Sequence, residues 1–173
     1  MKRFMKITLI FIGVVLVISG CAGAGGPKVT QNDCNTKPAE TNMFVAGECL
    51  SYEKFEGEKK NKTIVFLHGS STKYPDPLSY LSKWGQQIES KTDITTYIVS
   101  LPGYVGSSSN NWYRMYQSGK SYNAVKKGFV EFVANMLQSI KEKENSSELY
   151  VVGHSSGATL ASTIAGYRPG LIQ

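Results

Sequence analysis

Histidine is scarce in this sequence, and its scarcity limits the chemistry that the chain can support. The 173 residues include two histidines, His68 and His154, and each lies inside a motif that has another explanation. Two isolated histidines do not make a metal-ligand cluster. The chain also has no glycine-rich phosphate loop and no internal repeat. We therefore expect one globular domain with no metal site and no cofactor.

A hydrophobic segment long enough to cross a membrane is lacking as well. The apolar run Ile7–Ile18 has about a dozen residues, whereas a spanning helix needs about 20. It follows the basic stretch MKRFMK, which is typical of a secretory signal. The next residues, ISGC, resemble the bacterial lipobox, whose cysteine is lipidated and becomes the new N-terminus. The resemblance predicts a lipoprotein signal peptide over residues 1–20 and lipidation of Cys21. The alternatives are an ordinary signal peptide and an uncleaved anchor.

These N-terminal features also change what the charge implies. The formal net charge is +6, and removal of residues 1–20 takes away three basic residues and no acidic one, which leaves +3. The basic character is therefore poor evidence for nucleic-acid binding. We expect no nucleic-acid partner, and a protein exported and anchored through lipidated Cys21 to a bacterial membrane, on its periplasmic or cell-surface face.

Cysteine is rare, and its use agrees with export. The chain has three cysteines, so lipidation of Cys21 would leave Cys34 and Cys49 as a pair. An oxidising compartment permits a disulfide between them. The closed loop of about 15 residues would stabilise the fold by roughly 3 kcal/mol in the chain-entropy model. The alternative is two unpaired thiols.

The order of apolar segments predicts an α/β fold. Residues 21–42 are rich in Gly, Pro, Asn and Thr and have no apolar period, which is typical of a flexible tether. Residues 43–173 contain three apolar runs that predict buried strands, namely TIVFLHG, ITTYIVSLPG and LYVV. Each run is followed by a segment with helical spacing of apolar residues. Helical crossovers between apolar strands imply a parallel sheet with helices on both faces.

A serine with small neighbours lies where the third strand meets its helix. The stretch LYVVGHSSGATLAS contains the pattern G-x-S-x-G at Gly153, Ser155 and Gly157. The strand-to-helix turn is so tight that flanking side chains would crowd it, and the serine hydroxyl is pushed out at the end of the sheet. The positive end of the following helix then points at the site. The alternative is a small-residue turn that only packs the helix closely.

Two more loops follow the first and second predicted strands. The first, FLHGSS, is an apolar strand that ends in His-Gly, and the second, LPGYVGSS, has glycines that allow it to bend past the site. Three stretches resemble the N-terminal half of an α/β-hydrolase, up to and including the nucleophile elbow. They occur in the order found in that family: TIVFLHGSS, SLPGYVGSS and VVGHSSGATLAS. The resemblance covers roughly residues 44–173 and implies a parallel-sheet α/β-hydrolase fold.

The resemblance also implies a chemistry and assigns residues to it. It implies a serine hydrolase that cleaves ester or amide bonds through an acyl-enzyme, with Ser155 as the nucleophile and a small-molecule or acyl substrate. The backbone N–H groups of Ser70 and Ser156 would hold the oxyanion. Four residues would shape the motifs: His68, Gly69, Gly153 and Gly157. We expect His68 to order its loop through hydrogen bonds, and the His154 side chain to point away from Ser155.

The partners of the serine are missing from the rest of the chain. Residues 156–173 contain no Asp, Glu or His, whereas the family order is Ser, Asp/Glu, His. We expect the chain to be a fragment of a longer hydrolase, truncated after the elbow helix, with little activity of its own. A short lipoprotein that kept half of the fold for binding, and a partner chain that completes the site, are the alternatives.

A noncatalytic role remains a second hypothesis. A lipid-anchored binding module on the same half fold would use an exposed aromatic surface. The loop after LPGYVGSS supplies Trp112, Tyr113, Tyr116 and Tyr122, although these rings are also compatible with a packed loop.

Overall fold

A five-stranded sheet forms the centre of the domain. The computed structural model describes residues 27–71, 73–112 and 125–173. The strands lie in the order β1-β2-β4-β3-β5. They are β1 (Asn42–Val45), β2 (Glu48–Phe55), β3 (Lys62–Leu67), β4 (Thr95–Val99) and β5 (Glu148–Gly153). The helices are α1 (Gln31–Asn35), α2 (Pro77–Thr92), α3 (Lys127–Lys143) and α4 (Ser156–Tyr167).

The predicted α/β fold is confirmed in the three central strands. β3 pairs in parallel with β4 on one side and β5 on the other, with Val65 opposite Tyr97 and Val151. Successive side chains of a strand point to opposite faces. On one face, Phe66 and Ile98 pack with Leu81 of α2. On the other face, the core contains residues of α3 and α4. Helices therefore cover both faces, which explains the continuous apolar runs.

The first two strands pair antiparallel with their neighbours, so β2 runs against the three central strands. β1 pairs antiparallel with β2, and β2 pairs antiparallel with β4. Only Ala46 and Gly47 connect β1 to β2, and their φ angles are 47° and 83°. Two residues with positive φ make a tight hairpin turn, which joins antiparallel strands. The sheet is therefore mixed at this edge rather than parallel throughout.

The prediction of a flexible tether over residues 21–42 is wrong for the C-terminal part of that segment, which is ordered. Thr30 caps α1 through a capping box with Asp33. The Val29 N–H donates to Asn110 Oδ1 at 2.9 Å, and Cys34 is buried. The polar composition was misleading because hydrogen bonds and one covalent link, rather than apolar packing, hold this segment to the domain. The signal peptide and Cys21 lie outside the described residues.

A disulfide joins Cys34 of α1 to Cys49 of β2. The two Cα atoms are 5.6 Å apart, and the cysteines are separated by 15 residues in sequence. Both side chains are buried. The bridge therefore ties the N-terminal segment to the second strand of the sheet.

Reduction of this bridge is expected to lower the free energy of unfolding by about 3 kcal/mol, since the unfolded chain regains the entropy of a loop of about 15 residues. Urea unfolding with and without dithiothreitol measures the change. In the double variant Cys34→Ala, Cys49→Ala, dithiothreitol should have no effect. An unfolding midpoint of the parent chain that is unchanged by full reduction would contradict the prediction.

The outer edge of the sheet is formed by β5. Within the described residues, β5 pairs with β3 alone, and Val152 is 38% exposed. After α4 the backbone returns toward this edge, where the Gln173 N–H donates to the Leu149 carbonyl at 2.9 Å. Among the described helices, none is both long and apolar enough to cross a membrane.

Candidate active site

Ser155 occupies the turn between β5 and α4. Its φ and ψ angles are 54° and −124°, in a region that residues with a side chain rarely adopt. The residue is exposed, whereas Ser156, the first residue of α4, is buried. The strained turn thus places the hydroxyl-bearing Ser155 at the C-terminal end of the parallel strands, next to the positive end of a helix.

The predicted motif glycines are required by close approaches. A Cβ on Gly157 would lie 2.1 Å from the Leu67 carbonyl oxygen, and one on Gly153 would lie 2.5 Å from the Ala158 Cα. A Cβ on Gly69 would lie 2.8 Å from the Cβ of Ser155. These contacts are shorter than real Cβ contacts, so each position accepts only glycine without displacement. Gly69 and Gly157 bring the loop after β3 against the turn that carries Ser155.

His68 is a buried structural residue in this loop. It has no exposed surface. Its Nε2 accepts from the Leu101 N–H at 3.1 Å, and its Nδ1 lies 2.9 Å from the Gly69 carbonyl oxygen. This pairing requires a neutral ring with the proton on Nδ1. Burial lowers the pKa of His68 to about 4, despite the opposing effect of the Gly69 carbonyl. His68 therefore links β3 to the residues after β4 and is not placed to take a proton from Ser155.

His154 lies at the surface and lines the same cavity as Ser155. A Cβ added to Gly69 would lie 3.1 Å from the His154 Nδ1. The imidazole ring of His154 therefore lies next to the loop after β3. The expectation that it points away from Ser155 stays a prediction. Within the described residues, no hydrogen bond joins the two side chains. The Ser155 hydroxyl has no base oriented toward it in this part of the chain.

One of the two predicted oxyanion donors, the Ser70 N–H, already has a hydrogen-bond partner. The Ser70 N–H donates to Ser156 Oγ at 2.7 Å. The Ser156 backbone N–H lies at the N-terminus of α4. A substrate oxygen that used the Ser70 N–H would have to replace or share the Ser156 hydroxyl. The assignment of Ser70 and Ser156 as oxyanion donors stays a prediction, and no sequence pattern indicates this side-chain contact.

Tyr104 is a positioning residue that sequence reasoning missed. Its hydroxyl accepts from the Ser71 N–H at 2.5 Å and lies 3.4 Å from the Gly69 carbonyl oxygen. Its ring packs edge-on against His68, with centroids 4.5 Å apart. Tyr104 is buried, and burial raises its pKa. It fixes the loop after β3 to the loop after β4, and a lone aromatic residue between the glycines of LPGYVGSS was the available signal.

The loop after β4 is fixed from beneath by a buried carboxylate. Glu48 has no exposed surface and accepts from the Ser108 hydroxyl and from the N–H groups of Asn110 and Asn111, at 2.7 to 2.8 Å. Gly103 and Gly106 adopt φ angles of 94° and 91°, as the predicted bending of this loop requires. The loop is therefore a supported structure beside the site.

Trp112 does not form an exposed binding surface. Its ring packs against Phe129 and Phe132 of α3, with centroid distances of 5.6 and 6.2 Å. Of the proposed aromatic binding loop, Tyr113, Tyr116 and Tyr122 lie outside the described residues. For Trp112, the packed-loop interpretation is the one the geometry supports.

A cavity of about 570 Å³ opens beside Ser155. Ser70 and Ser71 line it on the side of the loop after β3. Leu81 and three aromatic residues line it on the side of α2: Tyr74, Tyr80 and Trp84. Sequence analysis did not assign these aromatic residues to a site, although the four-residue spacing of Tyr80 and Trp84 places them on one face of a helix. In the described part of the chain, no cluster of three or more potential metal ligands is present.

Comparison with known proteins places the chain in a family. The model of the alpha/beta hydrolase family matches residues 64–172. No curated protein matches the chain. The similar solved structures include epoxide hydrolase VrEH1 from Vigna radiata, with 18% identity and a TM-score of 0.53. The match covers 76% of this chain and 36% of that one.

Two further structures show the same likeness. A bacterial membrane phospholipase A has 20% identity and a TM-score of 0.55, with 78% of this chain covering 37% of that one. Est1E from Butyrivibrio proteoclasticus, solved with ferulic acid, has 12% identity and a TM-score of 0.57, with 76% of this chain covering 49% of that one. The chain thus spans less than half the length of these structures. The family match over most of the chain, together with the mixed sheet and the strained turn at Ser155, shows that the chain belongs to the alpha/beta hydrolase family.

Proposed function

We propose that this chain is the nucleophile-bearing part of a serine hydrolase that cleaves esters or amides through an acyl-enzyme. The observation that carries the proposal is the strained turn, which presents the hydroxyl of Ser155 at the mouth of a cavity and at the N-terminus of α4. In the reaction, Ser155 Oγ would attack the carbonyl carbon, and its proton would pass to a general base. The N–H groups of Ser70 and Ser156 would stabilise the oxyanion until the leaving group departs with a proton.

The base and its orienting acid are proposed to come from outside residues 1–173. His68 is buried and neutral, and no His, Asp or Glu follows Ser155. Within the described residues β5 has β3 as its one strand partner, which supports this proposal, since a further strand could pair along its other side. Without a base the hydroxyl is a weak nucleophile, and the isolated chain is therefore proposed to have little hydrolase activity.

Active-site labelling tests the role of Ser155. The source DNA is sequenced beyond the codon for Gln173, and the longest encoded chain is expressed and treated with a fluorophosphonate probe. We expect one adduct on Ser155, and complete loss of labelling and of p-nitrophenyl ester turnover in Ser155→Ala. Ser162→Ala is the matched control, because Ser162 is an exposed serine of α4 whose hydroxyl donates to the Ala158 carbonyl.

Two results would contradict the proposal. An adduct that persists in Ser155→Ala would place the nucleophile elsewhere. Robust, Ser155-dependent turnover by the 173-residue chain alone would show that the chain supplies its own base.

Lipid anchoring is a separate proposal, supported by the basic start, the apolar run and the ISGC stretch before the mature chain. Growth with an alkyne-tagged fatty acid should label the protein, and Cys21→Ser should abolish both labelling and membrane association. An unlabelled protein in the membrane fraction would argue for an uncleaved anchor instead.

The substrate is not selected by the fold. The similar structures are those of an epoxide hydrolase, a phospholipase A and Est1E with bound ferulic acid. One fold hosts many activities, and the site decides between them. The substrate of this protein is therefore selected by the residues that line its own cavity.

A further inference from the structure

We propose that the cavity formed by Tyr74, Tyr80, Leu81 and Trp84 beside Ser155 holds an uncharged, apolar acyl group of the substrate. The inference rests on the proposed serine-hydrolase function, and it adds a substrate class and the residues that select it. It concerns the side of the site formed by α2, to which neither sequence motif nor family match assigns a role.

The position of the cavity is the first support. Ser155, Gly69 and Ser70 line one side of it, so a group bound in the cavity lies next to both the nucleophile and a predicted oxyanion donor. An acyl group must lie next to both, because its carbonyl carbon is attacked and its oxygen receives the negative charge. A volume of about 570 Å³ falls within the range of about 300–1,000 Å³ that is usual for small-molecule sites.

The chemistry of the lining is the second support. The side formed by α2 and the residues before it presents three aromatic rings and one leucine. Tyr74 and Tyr80 contact each other at 5.6 Å between centroids. Trp84 is held edge-on against the buried Phe66 at 6.1 Å, yet 54% of it is exposed. A large ring that is half exposed at the mouth of a cavity beside a reactive serine is suited to burying an apolar group.

The backbone of α2 explains why Trp84 lies there. A Cβ on the adjacent Gly85 would be 2.5 Å from the Phe55 ring and 2.9 Å from Ile98. Glycine at this position lets α2 approach the sheet closely. Leu81 is then buried against the sheet, and Tyr80 and Trp84 are left along the flank that faces Ser155.

The charges around the cavity favour a neutral ligand. None of the described residues that line the cavity is Asp, Glu, Lys or Arg. Two charged residues close to Tyr74 in the sequence have other contacts. Asp76 accepts from the N–H groups of Leu78 and Ser79 as the cap of α2, and Lys73 Nζ lies 5.3 Å from the centre of the Tyr74 ring. A charged acyl group would lose its hydration here without gaining a dedicated partner.

Tryptophan fluorescence tests binding without any turnover. The chain has two tryptophans, Trp84 at the cavity and Trp112 packed against α3. Methyl 6-bromohexanoate, a neutral ester with a heavy-atom quencher, is titrated into the parent chain and into Trp84→Phe and Trp112→Phe. We expect saturable quenching in the parent chain and in Trp112→Phe, and its loss in Trp84→Phe. The anion 6-bromohexanoate should bind at least tenfold more weakly than the ester.

Ester turnover by the full-length protein tests selectivity. We expect the ratio of kcat/KM for p-nitrophenyl hexanoate to that for p-nitrophenyl acetate to fall about tenfold or more in Trp84→Ala. The ratio should stay unchanged in Trp112→Phe, the matched control. Circular dichroism of each variant separates loss of fold from loss of the cavity.

The outcomes separate this inference from the proposed function. Saturable quenching through Trp84 with no turnover by the full-length protein supports the cavity and rejects the hydrolase. Turnover without chain-length selectivity, or with a preference for a succinyl over a hexanoyl ester, overturns the acyl site and leaves the hydrolase. Quenching that is linear in the ester concentration, or equal in Trp84→Phe and the parent chain, also overturns it.

Discussion

Replacing Gly157 by alanine is expected to destabilise the domain by about 3 kcal/mol or more. The added Cβ would lie 2.1 Å from the Leu67 carbonyl oxygen and 2.7 Å from that of His68. Both contacts are with backbone atoms of β3 and of the loop after it, so neither can be relieved by a side-chain rotation. Either α4 or the end of β3 has to move, and both position the site. Chemical unfolding of Gly157→Ala and the parent chain measures the difference.

Gly166→Ala is the matched control within the same helix. A Cβ there would have no atom within 4 Å, and alanine is a better helix former than glycine by about 1 kcal/mol. Gly166→Ala should therefore leave the stability unchanged or raise it slightly, while Gly157→Ala lowers it strongly. Similar changes in the two variants would show that helix propensity, rather than the close approach to Leu67, governs the effect.

Acidification is expected to destabilise the fold by about 3 kcal/mol through His68 alone. The ordinary pKa is 6.5, and burial lowers it to about 4 in the folded state. The unfolded chain therefore binds the proton first as the pH falls. The stabilising contribution of the neutral ring is complete above about pH 6.5, decreases between pH 6.5 and about 4, and levels off below that. The free energy of unfolding, measured by urea titration at several pH values, should fall across this window.

His68→Gln separates this effect from the titration of carboxylates. Glutamine can accept from the Leu101 N–H and has no proton to gain in this range. Whatever the stability of the variant at pH 7.5, that stability should depend less steeply on pH between 6.5 and 4 than the stability of the parent does. Parallel profiles of the two proteins over that range would contradict the assignment of His68 as a buried neutral ring.

The element order of the domain was predictable because each signal is local. Residues 63–67 form a continuous run of β-branched and apolar residues, and only a strand buried on both faces needs such a run. The turn at Ser155 was predictable for a similar reason, since the glycines at 153 and 157 lie two residues on either side of the serine. The antiparallel start and the ordered segment before β1 were not predictable from composition, because distant partners such as Cys49 and Asn110 order them.

The sequence by itself determined the α/β fold, the strand-turn-helix position of Ser155 and the absence of Asp, Glu and His from residues 156–173, since these depend on residue type and short spacing. Only the tertiary structure decided which N–H groups beside the serine have partners, that Tyr104 and His68 tie two loops together, and that Trp84 and Tyr80 border a cavity. Those contacts join residues that are tens of positions apart. Their distances follow from how the helices pack on the sheet, which no local pattern specifies.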